Sequence, residues 1–306
     1  MGRVCILGIF VADTAYRAAR MPRMGETILG TGFALNAGGK GSNQAVAAGR
    51  AGAEAVFLSR IGDDAFAGIA DAIWAEAGVR FAGERLPDEE TGAAFIFVDE
   101  ATGDNAIIVS AGAAGGITPA HVEDWRGEIA AADVFLTQLE QPVDAAMAAL
   151  RIAREAGVRT ILNPAPAAEL PGGMLALCDV VTPNESEAEG LTGMAVTDRA
   201  SAEAAGRDLL NQGAGAALIT LGEAGALWVS SEEVIEVAPM RAGEVVETTG
   251  AGDAFNGGLA AAMAEGLPLR EALRRATAVA AISVTRAGAA PSMPTRDDVD
   301  ALLARG

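Results

Sequence analysis

Short runs of β-branched and other apolar residues alternate through most of the chain with alanine-rich segments of helical period. The runs at 4–9, 55–60, 133–138, 159–163, 179–182 and 216–221 read as strands. Between them lie segments with helix-start chemistry: Asp63 before 64–77, Pro142 at the head of 143–156, and Thr295 before the C-terminal segment. Strand and helix in alternation predict an α/β fold, a parallel sheet with helices on both faces.

Two regions break the alternation. Residues 13–38 contain Thr27-Ile28-Leu29 with glycines on either side. Residues 91–110 read as paired strands, Ala94–Asp99 and Asn105–Ser110, around a Thr102-Gly103-Asp104 turn. These strand-rich insertions are expected to join as a small sheet that covers a cleft. With no internal repeat and no low-complexity linker, residues 1–306 read as a single domain carrying those insertions.

Composition narrows the function. The formal charge of −19 repels nucleic-acid phosphates and anionic lipid, and no basic segment offsets it, so neither is an expected partner. Gly, Ala, Asp and Arg interrupt every apolar run before the ~20 residues of a membrane span. Asp13 cuts short the apolar run at the N-terminus, which therefore reads as a first buried strand, not a signal peptide. Cys5 and Cys178, both among apolar neighbours, fit small core residues in a reducing cytoplasm and exclude a disulfide framework. The one histidine, His121, follows the helix start Thr118-Pro119, where an exposed polar residue is expected. Histidine triads and multi-histidine metal sites are thereby disfavoured.

The most informative segment is Glu247-Thr248-Thr249-Gly250-Ala251-Gly252-Asp253, which opens an alanine-rich helix. Small residues at 250–252 let an anion approach the backbone, where the first helical N–H groups and the helix dipole favour negative charge. Asp253 there serves either as a helix cap or as a base beside a phosphate. Asn36-Ala37-Gly38-Gly39-Lys40-Gly41-Ser42-Asn43 also enters a helix but lacks the phosphate-loop spacing Gly-x-x-x-x-Gly-Lys-Ser/Thr. It is either a structural glycine turn or a grip for a polyhydroxylated ligand through backbone N–H groups, Lys40 and Asn43. Thr182-Pro183-Asn184-Glu185-Ser186-Glu187 is either a capped helix start or a pair, Asn184 and Glu187, that orients hydrated Mg²⁺. Gln138-Leu139-Glu140 and Thr220-Leu221-Gly222-Glu223-Ala224-Gly225 also end strands, so the candidates converge on one sheet edge, where open α/β sheets bind ligands.

In this order and separation, the motifs resemble the ribokinase branch of the PfkB carbohydrate kinase family, almost end to end from Gly8 to Ser292. The matching residues include Gly38 to Gly49, Asn163-Pro164-Ala165-Pro166, Gly250-Ala251-Gly252-Asp253 and Val284-Thr285-Arg286. The resemblance implies a three-layer α/β/α sandwich with a β-sheet lid that also mediates a homodimer. It implies ATP-dependent phosphorylation of the primary hydroxyl of a pentose, ribose first. By carry-over, Asp13, Gly39, Lys40, Asn43 and Glu140 hold the sugar, and Asp253 takes its proton. Gly250, Ala251 and Gly252 form the anion hole. Asn184, Thr220, Gly222, Gly225, Gly252 and Thr277 line the nucleotide, with Glu187 acting on Mg²⁺ through water. A monovalent cation such as K⁺ is expected near Glu247, Thr249, Ser283, Arg286, Gly288 and Ser292.

Two departures qualify this. Relatives usually carry Asn two residues before the sugar-gripping Asp, where this chain has Val11, which opens 2-deoxyribose or another sugar as substrate. They usually carry Asp where this chain has Glu247, which alters the cation site. A nucleoside kinase and a catalytically silent binding protein are the remaining alternatives.

Overall fold

The computed structural model describes residues 1–305. The six predicted runs form the strands Arg3–Leu7, Glu54–Leu58, Val134–Thr137, Arg159–Leu162, Val180–Val181 and Ala216–Thr220. All six are parallel, and Arg3–Leu7 lies between Glu54–Leu58 and Val134–Thr137. Arg80–Phe81 extends the sheet at one edge. At the other edge an antiparallel hairpin, Ala226–Ser230 and Val234–Val237, completes nine strands among the described residues.

Successive side chains of a strand point to opposite faces. Val4, Ile6, Val134, Leu136 and Ile161 accordingly join one buried cluster, under helices Lys40–Arg50, Ala65–Ala77, Ala251–Ala264 and Leu269–Ser283. Cys5, Leu7, Phe135, Leu162 and Val181 join the other, under Pro119–Asp124, Arg126–Ala130 and Val143–Glu155. Each fully buried large apolar side chain stabilises by roughly 1.5–3 kcal/mol, so both layers hold the sheet. Cys5 and Cys178 are free and buried. Burial pushes both thiols up, Cys178 to about 12, so they stay protonated at neutral pH. No helix among the described residues is long and apolar enough to cross a membrane.

The two insertions meet. Val11–Ala18 and Thr91–Asp99 pair in parallel at the centre of a second, four-stranded sheet, flanked by Gly32–Gly38 and Asn105–Gly112. Thr27-Ile28-Leu29, expected as strand, instead lies in the connection between Val11–Ala18 and Gly32–Gly38. Part of that connection is folded on itself: Glu26 pairs with Arg20 and accepts the Arg23 N–H at 2.9 Å. Pro142 and Thr295 head their helices as expected. Asp64, not Asp63, caps the next helix, because its other oxygen also accepts the Thr91 N–H at 2.8 Å. His121 is half-buried, not exposed, since its Nδ1 closes a capping box on the Thr118 N–H at 3.1 Å.

Candidate active site

Because the core strands are parallel, their C-terminal ends share one edge, and the turns that follow carry Gln138 to Glu140, Asn163, Thr182 to Glu187 and Thr220 to Gly225. Two helices begin over the same edge. Helix Lys40–Arg50 is preceded by Gly39 at φ 85°, where a Cβ would fall 2.5 Å from the Ile9 carbonyl oxygen. Gly39 has no side chain to cap this helix, and Glu140 substitutes from a distant turn: its Oε2 accepts the Lys40 N–H at 2.7 Å. Helix Ala251–Ala264 is preceded by Gly250 at φ 78°, backed so closely by Ala289 that a Cβ would lie 2.9 Å from the alanine Cβ.

Asp253 therefore sits in the first turn of a helix, and its side chain is buried. Asn43 Nδ2 donates to its Oδ2 at 2.9 Å, and Gln44 Nε2 donates to its Oδ1 at 3.0 Å. Burial pushes its carboxyl up, against the Lys40 ammonium and the two amide donors, which favour the ionised form. Lys40 is itself raised, foremost by the charge of Asp253, with Glu140 and Glu187 adding to it. Burial lifts Glu140 to about 7, opposed by Lys40. Asp13, on strand Val11–Ala18 of the second sheet, is lifted to about 6 by burial and then by Asp253. Its carboxyl lies so close to Gly38 that a Cβ there would fall 2.2 Å from Oδ2. Asn43 Oδ1 is buried and has no protein partner, which leaves an acceptor for a ligand hydroxyl. Asp13, Gly39, Lys40, Asn43, Glu140 and Asp253 thus gather from four separate segments.

The anion-binding end differs in one respect from expectation. The Ala251 N–H, counted among the anion-hole donors, closes a turn on the Thr248 carbonyl at 3.1 Å. Among the described residues, the N–H groups of Gly252 and Asp253 meet no acceptor, as first-turn donors do.

Asn184 and Glu187 form a reciprocal capping box. Asn184 Oδ1 accepts the Glu187 N–H at 2.8 Å, and Glu187 Oε2 accepts the Asn184 N–H at 2.9 Å. The capping reading of this segment therefore holds, although Glu187 also feels the charges of Lys40 and Asp253. Asn184 bridges to Thr220, and Gly222 and Gly225 take φ of 52° and 92° in the turn beyond. Thr277 lies on helix Leu269–Ser283 with its hydroxyl donated to the Leu273 carbonyl at 2.9 Å, so its side chain is already engaged.

The residues expected near a monovalent cation also assemble, with internal bonds. Glu247 Oε2 accepts the Gly288 N–H at 2.8 Å, and Ser292 Oγ donates to the Ala289 carbonyl at 2.7 Å. The Ser283 hydroxyl donates to the Ala280 carbonyl at 2.9 Å, while its own carbonyl accepts the Arg286 N–H at 3.1 Å. The Arg286 guanidinium turns away to Asp298 at 3.0 Å. Thr249 is exposed one residue before Gly250.

Sequence motifs alone did not single out Gln44, Asn163, Thr182 or Asn256 for roles of their own. All four are buried polar residues of the site. The signal available was an amide inside an alanine-rich run: Gln44 before Ala45-Val46-Ala47-Ala48, and Asn256 before Gly257-Gly258-Leu259-Ala260.

A buried carboxylate and a facing ammonium beside open helix N–H donors, on the edge of an open α/β sheet, define a phosphotransferase that acts on a hydroxyl. Residues 1–296 match the family model described as pfkB family carbohydrate kinase. The chain is 38% identical to the ribokinase of Haemophilus influenzae over 294 residues, 96% of this chain and 95% of that one. It is 32% identical to the deoxyribokinase of Salmonella typhi over 302 residues, 98% of each. A solved structure of Arabidopsis thaliana ribokinase complexed with ribose and ATP superposes with a TM-score of 0.94 at 31% identity, covering 99% of this chain and 98% of that one. The chain belongs to the pfkB family of carbohydrate kinases.

Proposed function

We propose that this protein transfers the γ-phosphoryl group of ATP to the primary 5-hydroxyl of ribose. The observation that carries this reading is the Asp253 carboxylate, buried at a helix start, held by two amides and faced by Lys40. In the proposed reaction Asp253 takes the hydroxyl proton as the oxygen attacks the γ-phosphorus, and the bond to the β-phosphate oxygen breaks to release ADP. Asp13, Gly39, Lys40, Asn43 and Glu140 hold the sugar, while the Gly252 and Asp253 N–H groups and Gly250 receive the phosphoryl oxygens. Asn184, Thr220, Gly222, Gly225 and Thr277 line the nucleotide.

Among the described residues, no three His, Cys, Asp or Glu side chains cluster as a metal cage. Mg²⁺ arriving with ATP would be held through water near Glu187, whose Oε2 alone is engaged in the capping box. Bound there, Mg²⁺ neutralises phosphate charge. The backbone carbonyls of Thr249, Ser283, Arg286 and Gly288, with the Glu247 carboxylate and the Ser292 hydroxyl nearby, would supply oxygen ligands of the kind K⁺ takes. We expect turnover to fall when K⁺ is replaced by tetramethylammonium at fixed Mg²⁺ and ionic strength. Equal rates would remove the site from the proposal.

Val11 supports a second reading. It is 4% exposed and packed in the apolar cluster beside Asp13, so it offers no hydrogen bond to a sugar hydroxyl. Sites that hydrogen-bond a hydroxyl reject analogues lacking it by about 10⁴-fold or more. We therefore expect the specificity constant for ribose to exceed that for 2-deoxyribose by less than about a hundredfold. ATP consumption across ribose, 2-deoxyribose and nucleosides tests both readings. A ratio above about 10⁴ means that another group reads the 2-hydroxyl, and a nucleoside optimum overturns the pentose assignment.

The second sheet is proposed as a lid and as the face for a second copy of the chain. Tyr16 packs against Phe33 and Phe95 with ring centroids 5.1 and 5.7 Å apart, Ile108 lies opposite Phe95, and Phe33 is 60% and Ile108 69% exposed. The free buried thiols of Cys5 and Cys178 suit a reducing cytoplasm.

A further inference from the structure

Behind the proposed base runs a chain of buried amides and hydroxyls. Gln44 Nε2 donates to Asp253 Oδ1 and also to Asn163 Oδ1, at 3.0 and 3.1 Å, while Gln44 Oε1 accepts from Gln138 Nε2. Asn163 Nδ2 donates to the Thr182 carbonyl at 3.0 Å. Thr182 Oγ1 donates to Asn256 Oδ1 at 2.6 Å, and Asn256 Nδ2 donates to the Gly252 carbonyl at 2.9 Å. The chain leaves helix Ala251–Ala264 at the Asp253 side chain and returns to it at Gly252. On the way it touches Gln138, Asn163 and Thr182, each the first residue after one of three adjacent parallel strands. Apart from Asp253, none of its members titrates near neutral pH, so it fixes geometry without exchanging protons.

We propose that Gln44 is a positioning residue for phosphoryl transfer, fixing the Asp253 carboxylate through Oδ1 and being fixed in turn by Gln138 and Asn163. A carboxylate held at one oxygen can swing about the bond that joins it to Cβ. Asn43 holds Oδ2, and Gln44 adds the second point that sets the carboxylate plane. The two donors differ in surroundings. Asn43 retains an unpartnered acceptor, whereas Gln44 is fully buried and both ends of its amide are bonded to protein. Three strand ends of the rigid sheet thus set the direction of the base. Misplacement of a reacting group by about 1 Å costs on the order of a hundredfold, so this constraint has kinetic weight. The charged groups that face Asp253 are Lys40 from its helix, Asp13 from the second sheet, Glu140 from the turn after Val134–Thr137, and Glu187 from helix Glu185–Thr192. Asn43 and Gln44 are the neutral donors to the carboxylate, and the loss of Gln44 leaves Asn43 and all four charged groups in place.

The kinetic part of this inference rests on the kinase reading, and the test separates the two. Gln44→Met keeps the side-chain length and removes both hydrogen-bonding ends. We expect kcat on ribose to fall about tenfold to a hundredfold, with KM for ribose and ATP within about threefold. The acid limb of kcat moves to higher pH, because a donor to the ionised carboxylate is lost. The ¹³Cγ signal of Asp253, assigned by its disappearance in Asp253→Asn, titrates at higher pH in Gln44→Met without any substrate. In the Asp253→Asn background, Gln44→Met costs less than about twofold, because the carboxylate it positions is gone. Gln138→Leu leaves Gln44 in place but frees its Oε1, and gives a smaller shift in the same direction should Gln44→Met fail to fold. An unmoved Asp253 titration, or an equal loss of kcat in both backgrounds, overturns the proposal. If the parent enzyme does not phosphorylate ribose, the kinase reading falls, and the substrate-free titration still decides whether Gln44 controls the carboxylate.

Discussion

Replacing Asp253 by asparagine is expected to lower turnover on ribose by at least about a hundredfold while ATP still binds. Asparagine has the same shape but cannot take up the hydroxyl proton, and a positioned base contributes about 10² to 10⁴-fold. The substitution also changes the hydrogen-bond balance. Asn43 and Gln44 each point an N–H at a carboxylate oxygen, and the new amide presents an NH₂ group to one of them. One buried donor is left without a partner, at a cost of about 1–3 kcal/mol in stability. The Lys40 ammonium loses its strongest counter-charge at the same time. ADP release in a coupled assay and nucleotide titration calorimetry measure the two halves. Near-normal turnover would remove Asp253 from the role of base.

The second large effect is expected from Gly257→Val. Helices Lys40–Arg50 and Ala251–Ala264 carry the two halves of the proposed site, and they touch at this glycine. A Cβ there would fall 2.5 Å from Ala47 Cβ and 2.5 Å from the Gln44 carbonyl oxygen. Neither neighbour is a flexible side-chain tip, so the helices must move apart. Overpacking of this kind costs about 1–3 kcal/mol, which lowers Tm. The displacement also acts one turn from Asp253 and directly at the backbone of Gln44, where small errors of position are amplified in rate. A lower Tm together with a fall in kcat of about tenfold or more is the expected result, read by thermal unfolding and initial rates. A stable variant with parental kcat would show that the two helices are not held in register there.

How far the sequence alone reached depended on the range of the forces involved. The six parallel strands were legible because each is a short, compact apolar run. The hairpin Ala226–Ser230 and Val234–Val237 was not, since no helix separates its strands and the alternation stops there. Pro142 and Thr295 were readable as helix starts because their chemistry is local. The choice of Asp64 over Asp63 was settled by a hydrogen bond to Thr91, 27 positions away. The same division runs through the site. The glycines at 39 and 250 were visible because close backbone approach demands them in short motifs. Gln44, Asn163, Thr182 and Asn256 were not, because their partners lie 119 and 74 positions apart in the chain and only the folded sheet edge brings them together. The engagement of the Ala251 N–H by Thr248 depends on the turn before the helix, which no spacing rule specifies.

Strand Gly32–Gly38 of the second sheet runs into helix Lys40–Arg50 with Gly39 alone between them. In the proposed complex the sugar is gripped by Asp13 from the sheet and by Lys40 and Asn43 from the helix. It therefore bridges a joint one residue long and acts as the pin that locks it. In that complex the sheet and the helix are tied to each other through the ligand as well as through the chain. Departure of the phosphorylated sugar then removes the ligand-borne tie between the two elements and leaves the covalent one at Gly39.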